Sequence, residues 1–384
     1  MPTLKPAQAV GLAEAAYRLK DMEIELLKPD ALKLPPHFSV GTRVVGSSGL
    51  GQGTLSGFGF LAAGNTELTR REFILALRGT DGSADQLTDA LIGSGVPGPS
   101  GTRVHMGFNR TWSSLRGQID QRLPGQLLSG ATVHCVGHSL GGALATLAAD
   151  YLQGKGAQVK VYTFGSPRVG MSDFSSSFTN RVTPANIFRV YHPADPVAMV
   201  PLFPFLHVPH GQGAYQLACN GTERIRGSAH KLKDSYATLI GDKTYEALAA
   251  NGAPSLTDRQ IESWLQGVKS GGWVQNYGAR AVEMVGIALE WVLRQLLQGA
   301  LIGLQPLLAS GVTALDTLAY VLYEGTRLVK ATAWYVEAIL IAIMKLAGQT
   351  VRKGAELTLD FIRFVLNSLF QGIVSMARSV VNVF

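Results

Sequence analysis

Ser139 is the residue whose surroundings point to covalent chemistry, in the run Gly137-His138-Ser139-Leu140-Gly141. The apolar run Val133–Val136 before it predicts a buried strand. The Ala/Leu-rich stretch after it, to Asp150, has helical periodicity. G-x-S-x-G between a strand and a helix is a nucleophile elbow, in which the serine stands on a strained bend with its hydroxyl exposed above the sheet. Gly137 and Gly141 keep side chains out of the turn, while Gly142, Ala143 and Ala145 let the helix approach the strand. The Leu140 N–H, at the helix start, is placed to donate to a developing oxyanion. A serine hydroxyl is a weak nucleophile at neutral pH and needs a histidine base oriented by a carboxylate.

On α/β-hydrolase sheets these groups follow in the order Ser, acid, His. Asp195 lies in the turn His192-Pro193-Ala194-Asp195-Pro196, just after the strand-like run at 186–191. Asp173 also lies beyond the serine, but in the polar stretch at 171–178, where it reads as a helix cap. Three histidines follow Asp195: His207 and His210 in FLHVPHG, and His230 at the head of AHKLKDSYATLI. His138 is committed by its backbone to the elbow and reads as a packing or hydrogen-bonding residue.

The elements that must position these groups alternate between strand and helix. A helix is expected over 7–27 and strands at 41–46, 55–62, 72–77, 159–164 and 186–191, with VHMGFNRTW (104–112) leading into a helix. This order predicts an α/β layered fold with a largely parallel sheet. Sixteen of the 17 prolines and all eight histidines precede residue 255, and the last 130 residues hold only Pro306. That shift divides the chain into a catalytic region, 1–254, a connecting helix and linker, 255–272, and an all-α hydrophobic region, 273–384. The connecting helix opens on Ser255-Leu256-Thr257-Asp258, a capping-box-like signal. In the last region charges recur at 283, 290 and 294 and at 324, 327 and 330, one narrow polar stripe per helix. Its longest uncharged run, Gln295–Leu315, reaches spanning length but carries three Gln and a Pro. These helices are expected to drive membrane association or self-association, or to pack on the catalytic region.

With 16% charged and 46% apolar residues the chain is globular rather than disordered. Its net charge of +7 is spread without dense Lys/Arg runs. That argues against nucleic acid and suits attraction to anionic membrane surfaces. Cys135 and Cys219 make neither a disulfide framework nor a metal cluster, and no cofactor is expected. The N-terminus lacks the apolar core of a secretory signal, so no cleavable signal peptide is expected.

Five segments in order resemble the fungal-type (class 3) lipase family of α/β-hydrolases, over about residues 10–240. They are LRGT (77–80), VHMGF (104–108), GHSLGG (137–142), TFGSPRVG (163–170) and HPADPVAMVP (192–201). The resemblance implies a Ser139–His230–Asp195 triad; among the histidines after Asp195, His207 is the runner-up base. It implies that Thr80 supplies the second oxyanion donor, that Asp89 anchors the Thr80 hydroxyl, and that residues 84–92 form a lid helix. His105 matches the pattern without a catalytic role. The family acts on neutral glycerides, phospholipids and galactolipids. The apolar tail and positive charge place a phospholipase A-like activity ahead of a triacylglycerol lipase or esterase. A membrane-inserting or scaffolding protein with a vestigial hydrolase domain is the reading from another class. The layout is also similar to bacterial lipase effectors exported by a dedicated secretion system. Expected partners are lipid and membrane surface, and a second copy or a chaperone/immunity protein at the C-terminal helices.

Overall fold

The computed structural model describes residues 3–19, 33–47, 56–79, 94–211, 213–220, 222–252, 256–272, 274, 277–299, 314–328, 330–349 and 356–381. Thr80, Asp89 and the expected lid at 84–92 lie outside the described residues, as does most of Gln295–Leu315.

Helix α1, Pro6–Tyr17, starts with Pro6 in its first turn, where no amide donor is needed. It is followed by strands β1 (Phe38–Gly46), β2 (Ser56–Gly64) and β3 (Glu72–Leu77). Strands β4 (Gly95–Pro97) and β5 (Arg103–His105) form a separate small ribbon before helix α2, Met106–Arg122. Strand β6 (Thr132–His138), helix α3 (Leu140–Gly154) and strand β7 (Gln158–Phe164) come next, then helix α4 (Ser172–Val182) and strands β8 (Ile187–Tyr191) and β9 (Tyr215–Gln216). The main sheet has the order β1-β2-β3-β6-β7-β8-β9. The pairs β1–β2 and β2–β3 are antiparallel, and every later neighbour is parallel.

Strand β6 is buried along its whole length because both faces of the sheet are covered. Its alternation divides the core: Val133 and Cys135 face α2 and α3, while Val136 joins the cluster containing α1. Helix α1 fills that second layer with Ala9, Leu12, Ala13 and Ala16.

Beyond the described loops and short helical turns of 217–257 come the longer helices α5 (Asp258–Lys269), α6 (Ala279–Gly299), α7 (Ala314–Leu328), α8 (Lys330–Leu346) and α9 (Leu359–Val381). The N-cap of α5 is Thr257, whose hydroxyl accepts from Gln260 N–H while the Gln260 side chain reaches back. Helix α5 packs on α8 and α6, so the connecting segment is built into the helical bundle. The bundle is itself built onto the α/β part. Ala288, Val292, Val336, Ile339, Leu366 and Ile373 share one continuous buried cluster with Val133, Leu144 and Ile187. Helix α9 lies against residues 227–230 and 197–199, next to the loops that carry His230 and Asp195. Among the described residues one helix, over Leu359–Ala377, is long and apolar enough to cross a membrane, and 39% of that window is buried in the chain's own core.

Candidate active site

The elbow follows from a strained serine and three glycines that their neighbours approach closely. Ser139, between β6 and α3, has φ 58° and ψ −132°, a conformation side chains rarely adopt. A Cβ on Gly137 would stand 2.0 Å from Gly141 O, and one on Gly141 would stand 2.2 Å from Leu77 O. A Cβ on Gly142 would stand 2.7 Å from the Ser166 Cβ. Leu140 opens α3, so its N–H is among the first-turn amides that have no acceptor within the helix. The Ser139 N–H donates to Phe164 O at 3.0 Å, which ties the elbow to the end of β7.

Asp195 sits in the turn after β8 and is fully buried. Its Oδ2 accepts from His230 Nδ1 at 2.8 Å and from the Tyr236 hydroxyl at 2.7 Å, and its Oδ1 accepts from the Val197 N–H at 2.8 Å. Burial alone would push this carboxyl up. The charge and hydrogen bond of His230, with the donors from Tyr236 and Val197, hold it below its ordinary value. Tyr236 lies in a π-type turn, Leu232–Ala237, and its hydroxyl also accepts from the His192 N–H at 3.1 Å. Burial and the neighbouring Asp195 push the Tyr236 phenol well above its usual range, so it keeps its proton to donate.

Gly165, at the end of β7, makes this arrangement possible. Its φ is +55°, and a Cβ there would stand 2.6 Å from Asp195 Oδ2 and 3.0 Å from His230 Nδ1. It follows Phe164, the acceptor of the Ser139 N–H, so the Asp195–His230 pair packs directly beside the elbow.

A second chain of bonds braces the site from α1. The Gly79 N–H donates to the Tyr17 hydroxyl at 3.1 Å, and that hydroxyl bonds His138 Nδ1 at 2.8 Å. His138 Nε2 reaches the His230 carbonyl at 2.8 Å, and the two imidazoles lie 4.5 Å apart. A carbonyl only accepts, so Nε2 carries the His138 proton and Nδ1 accepts from Tyr17. Burial and then His230 push the His138 pKa down to about 3, so the ring stays neutral. It is a brace, not a base.

The other candidates fall elsewhere. The half-buried His207 donates from its Nε2 to Ala198 O at 2.8 Å, and desolvation with Arg189 and Arg168 nearby holds it neutral. His210 is exposed. Asp173 occupies the first turn of α4 but ties down Arg103, accepting from its N–H at 3.1 Å and its Nε at 3.0 Å. His105 caps α2 by accepting from the Gly107 N–H, buried between Phe108 and Phe205. Burial pushes the Cys135 thiol far up, leaving it inert. One group with metal-ligand geometry among the described residues is His192, Cys219 and Glu223, whose ligand atoms lie within 4.8 Å of one another. Its members are bonded already: Cys219 Sγ donates to Glu223 Oε2 at 2.8 Å, and Glu223 pairs with Arg226. Burial and Glu223 push the Cys219 thiol up to about 12.

The sequence assigns no role to Tyr17, nor any to Gly165 beyond its place in TFGSPRVG. Gly165 carried a signal, a glycine closing a strand beside the Ser-Pro pair at 166–167; Tyr17 carried none.

Residues 74–205 match the family model described as Lipase (class 3). The secreted mono- and diacylglycerol lipase 1 of Fusarium solani is 36% identical over 152 residues, 39% of this chain and 44% of that protein. The secreted mono- and diacylglycerol lipase A of Penicillium cyclopium is 32% identical over 200 residues, 51% of this chain and 62% of that protein. The chain thus spans about half the length of these curated relatives. Among solved structures, the mono- and diacylglycerol lipase of Aspergillus oryzae aligns over 65% of this chain and 98% of its own, with 23% identity and a TM-score of 0.44.

Proposed function

We propose that this chain, whose residues 74–205 match the family model described as Lipase (class 3), hydrolyses carboxylic esters of lipids through an acyl-serine. The observation that carries the reading is the buried Asp195–His230 pair, with its 2.8 Å bond, packed beside a serine at φ 58°. Ser139 Oγ adds to the ester carbonyl carbon as its proton passes to His230 Nε2, and Asp195 stabilises the imidazolium. The negative charge on the carbonyl oxygen is met by the Leu140 N–H, a donor of a kind whose removal costs about 3–4 kcal/mol. The C–O bond then breaks and His230 returns its proton to the departing alcohol. Water, deprotonated by the same histidine, releases the carboxylic acid and frees Ser139. Thr80 is proposed as the second oxyanion donor and Asp89 as its anchor.

The names of the Fusarium and Penicillium relatives support partial glycerides as the substrate. The net charge of +7 and the apolar helix over Leu359–Ala377 support a second reading, phospholipid ester hydrolysis at an anionic membrane surface. A fluorophosphonate probe tests the chemistry: it should label the wild type and neither Ser139→Ala nor His230→Ala. Because the triad acts as a unit, the double variant should hydrolyse no slower than the worse single one. Labelling that survives in Ser139→Ala would overturn the assignment. Product analysis on diacylglycerol and on phosphatidylglycerol vesicles separates the two substrate readings.

A further inference from the structure

A cavity of about 220 Å³ lies where the helical bundle meets the α/β part. One wall is Arg168, Arg189 and His207; the other is made by α6 and α9, with Val285, Leu289, Leu369 and Ile373. Two guanidinium groups line one small space. Arg168 Nη1 donates to Pro201 O at 3.0 Å and to Met199 O. Arg189 is 9% exposed, lies 4.4 Å from the Tyr191 ring centroid, and its buried Nε has no hydrogen-bond partner.

Three carboxylates, Asp195, Glu283 and Glu290, line the same cavity, but each is engaged. Glu283 pairs with Arg280 at 2.6 Å and Glu290 pairs with Arg294, both on α6, and Asp195 is spent on His230, Tyr236 and Val197. Among the described residues neither Arg168 nor Arg189 forms an ion pair. Burial, with Arg189 next to it, pushes Arg168 down to about 10, which still leaves it charged at neutral pH. Two guanidinium groups lining one small space without an ion-pair partner are costly unless an anion joins them.

We propose that this cavity binds an amphiphile with one alkyl chain and an anionic oxygen head, a carboxylate or a phosphate monoester. The head meets Arg189 and Arg168, whose planar donors suit such oxygens. The first carbons of the chain lie along Val285, Leu289, Leu369 and Ile373. The cavity is smaller than the roughly 300–1,000 Å³ of drug-sized pockets, which excludes a diacyl lipid. Asp195 lines the same cavity, so the site adjoins the triad; its second wall comes from helices beyond residues 74–205, and binding there is read whether or not Ser139 is a nucleophile.

The test uses the full chain carrying Ser139→Ala, so that turnover plays no part, and reads binding by calorimetry. Decanoate and decyl phosphate distinguish the two heads; decanol and inorganic phosphate separate chain from charge. Gly286 lines the cavity from α6, and a Cβ there would meet nothing within 4 Å, so Gly286→Leu fills the space without a backbone clash. At least one decyl anion should bind, at least ten-fold more tightly than decanol or inorganic phosphate. Gly286→Leu and Arg189→Met should each weaken it at least ten-fold, with the Gly286→Leu melting temperature undiminished. Equal binding of decanol, equal binding of inorganic phosphate, binding unaffected by Gly286→Leu, or no binding of either decyl anion would each overturn the proposal.

Discussion

Asp195 stays charged in a site without solvent because three donors reach its two oxygens. Tyr236→Phe removes one of them without changing the ring. Hydrogen bonds to charged groups contribute about 1.5–3 kcal/mol, so kcat/KM should fall about ten-fold or more. The acid limb of its pH profile should move to higher pH, since the carboxyl loses a group that holds its pKa down. An unchanged profile would reduce Tyr236 to packing. His138 gives a stability test with the opposite charge. Its pKa falls from 6.5 to about 3 on folding, so between these values the unfolded chain binds more protons. Its contribution to stability is therefore full above about pH 6.5 and is lost as pH falls toward 3. From pH 6.5 to 5 the loss should be about 2 kcal/mol. Urea unfolding at the two pH values measures it, and His138→Gln should flatten the slope by about one proton. A wild-type slope no steeper than the variant's would mean that His138 is not held neutral.

At the level of the element, the end of β7 decides whether the site assembles. Gly165 is left-handed, which costs another residue about 1–2 kcal/mol before any contact is counted. The contact is worse, because a methyl at 2.6 Å from Asp195 Oδ2 displaces the carboxylate. Gly165→Ala should lower ester turnover at least 100-fold and lower the melting temperature. Near-normal turnover would mean that the 163–166 turn shifts freely and does not set the Asp195–His230 geometry. By contrast Gly117 in α2 has open space at its Cβ, so Gly117→Ala serves as the control that leaves turnover unchanged.

At the level of the whole molecule, the helical bundle shares one continuous buried cluster with the α/β part. Ile373 and Leu366 of α9 are fully buried, and α9 lies on the segment that ends at His230. Removing the bundle would return that apolar surface to water at about 25 cal/mol per Å². A chain ending at Gly272 should therefore lose cooperative unfolding and at least nine-tenths of its turnover on a soluble short-chain ester. Full turnover would show instead that residues 1–272 fold alone, and that the bundle serves only membrane or partner binding. Phe364, 54% exposed on α9, remains available for such contacts in the intact chain.

The sequence by itself determined what is local. The elbow was legible because strand, glycine turn and helix start fall within one short run, and β3, β7 and β8 because their apolar runs are bounded by turns. Asp195 was legible from its place after a strand. Residue types alone left His207, His210 and His230 open; family resemblance favoured His230, and the fold places that imidazole against Asp195, 35 positions away. Thr80 and Asp89 lie outside the described residues. The bonds from Tyr17 to Gly79 and His138, the need for glycine at 165 and the seating of the bundle on the α/β part came only from the tertiary structure. Each depends on chain segments far apart in sequence meeting within a few ångströms, and an apolar helix face has the same residue pattern whether it meets lipid, a second copy or its own core.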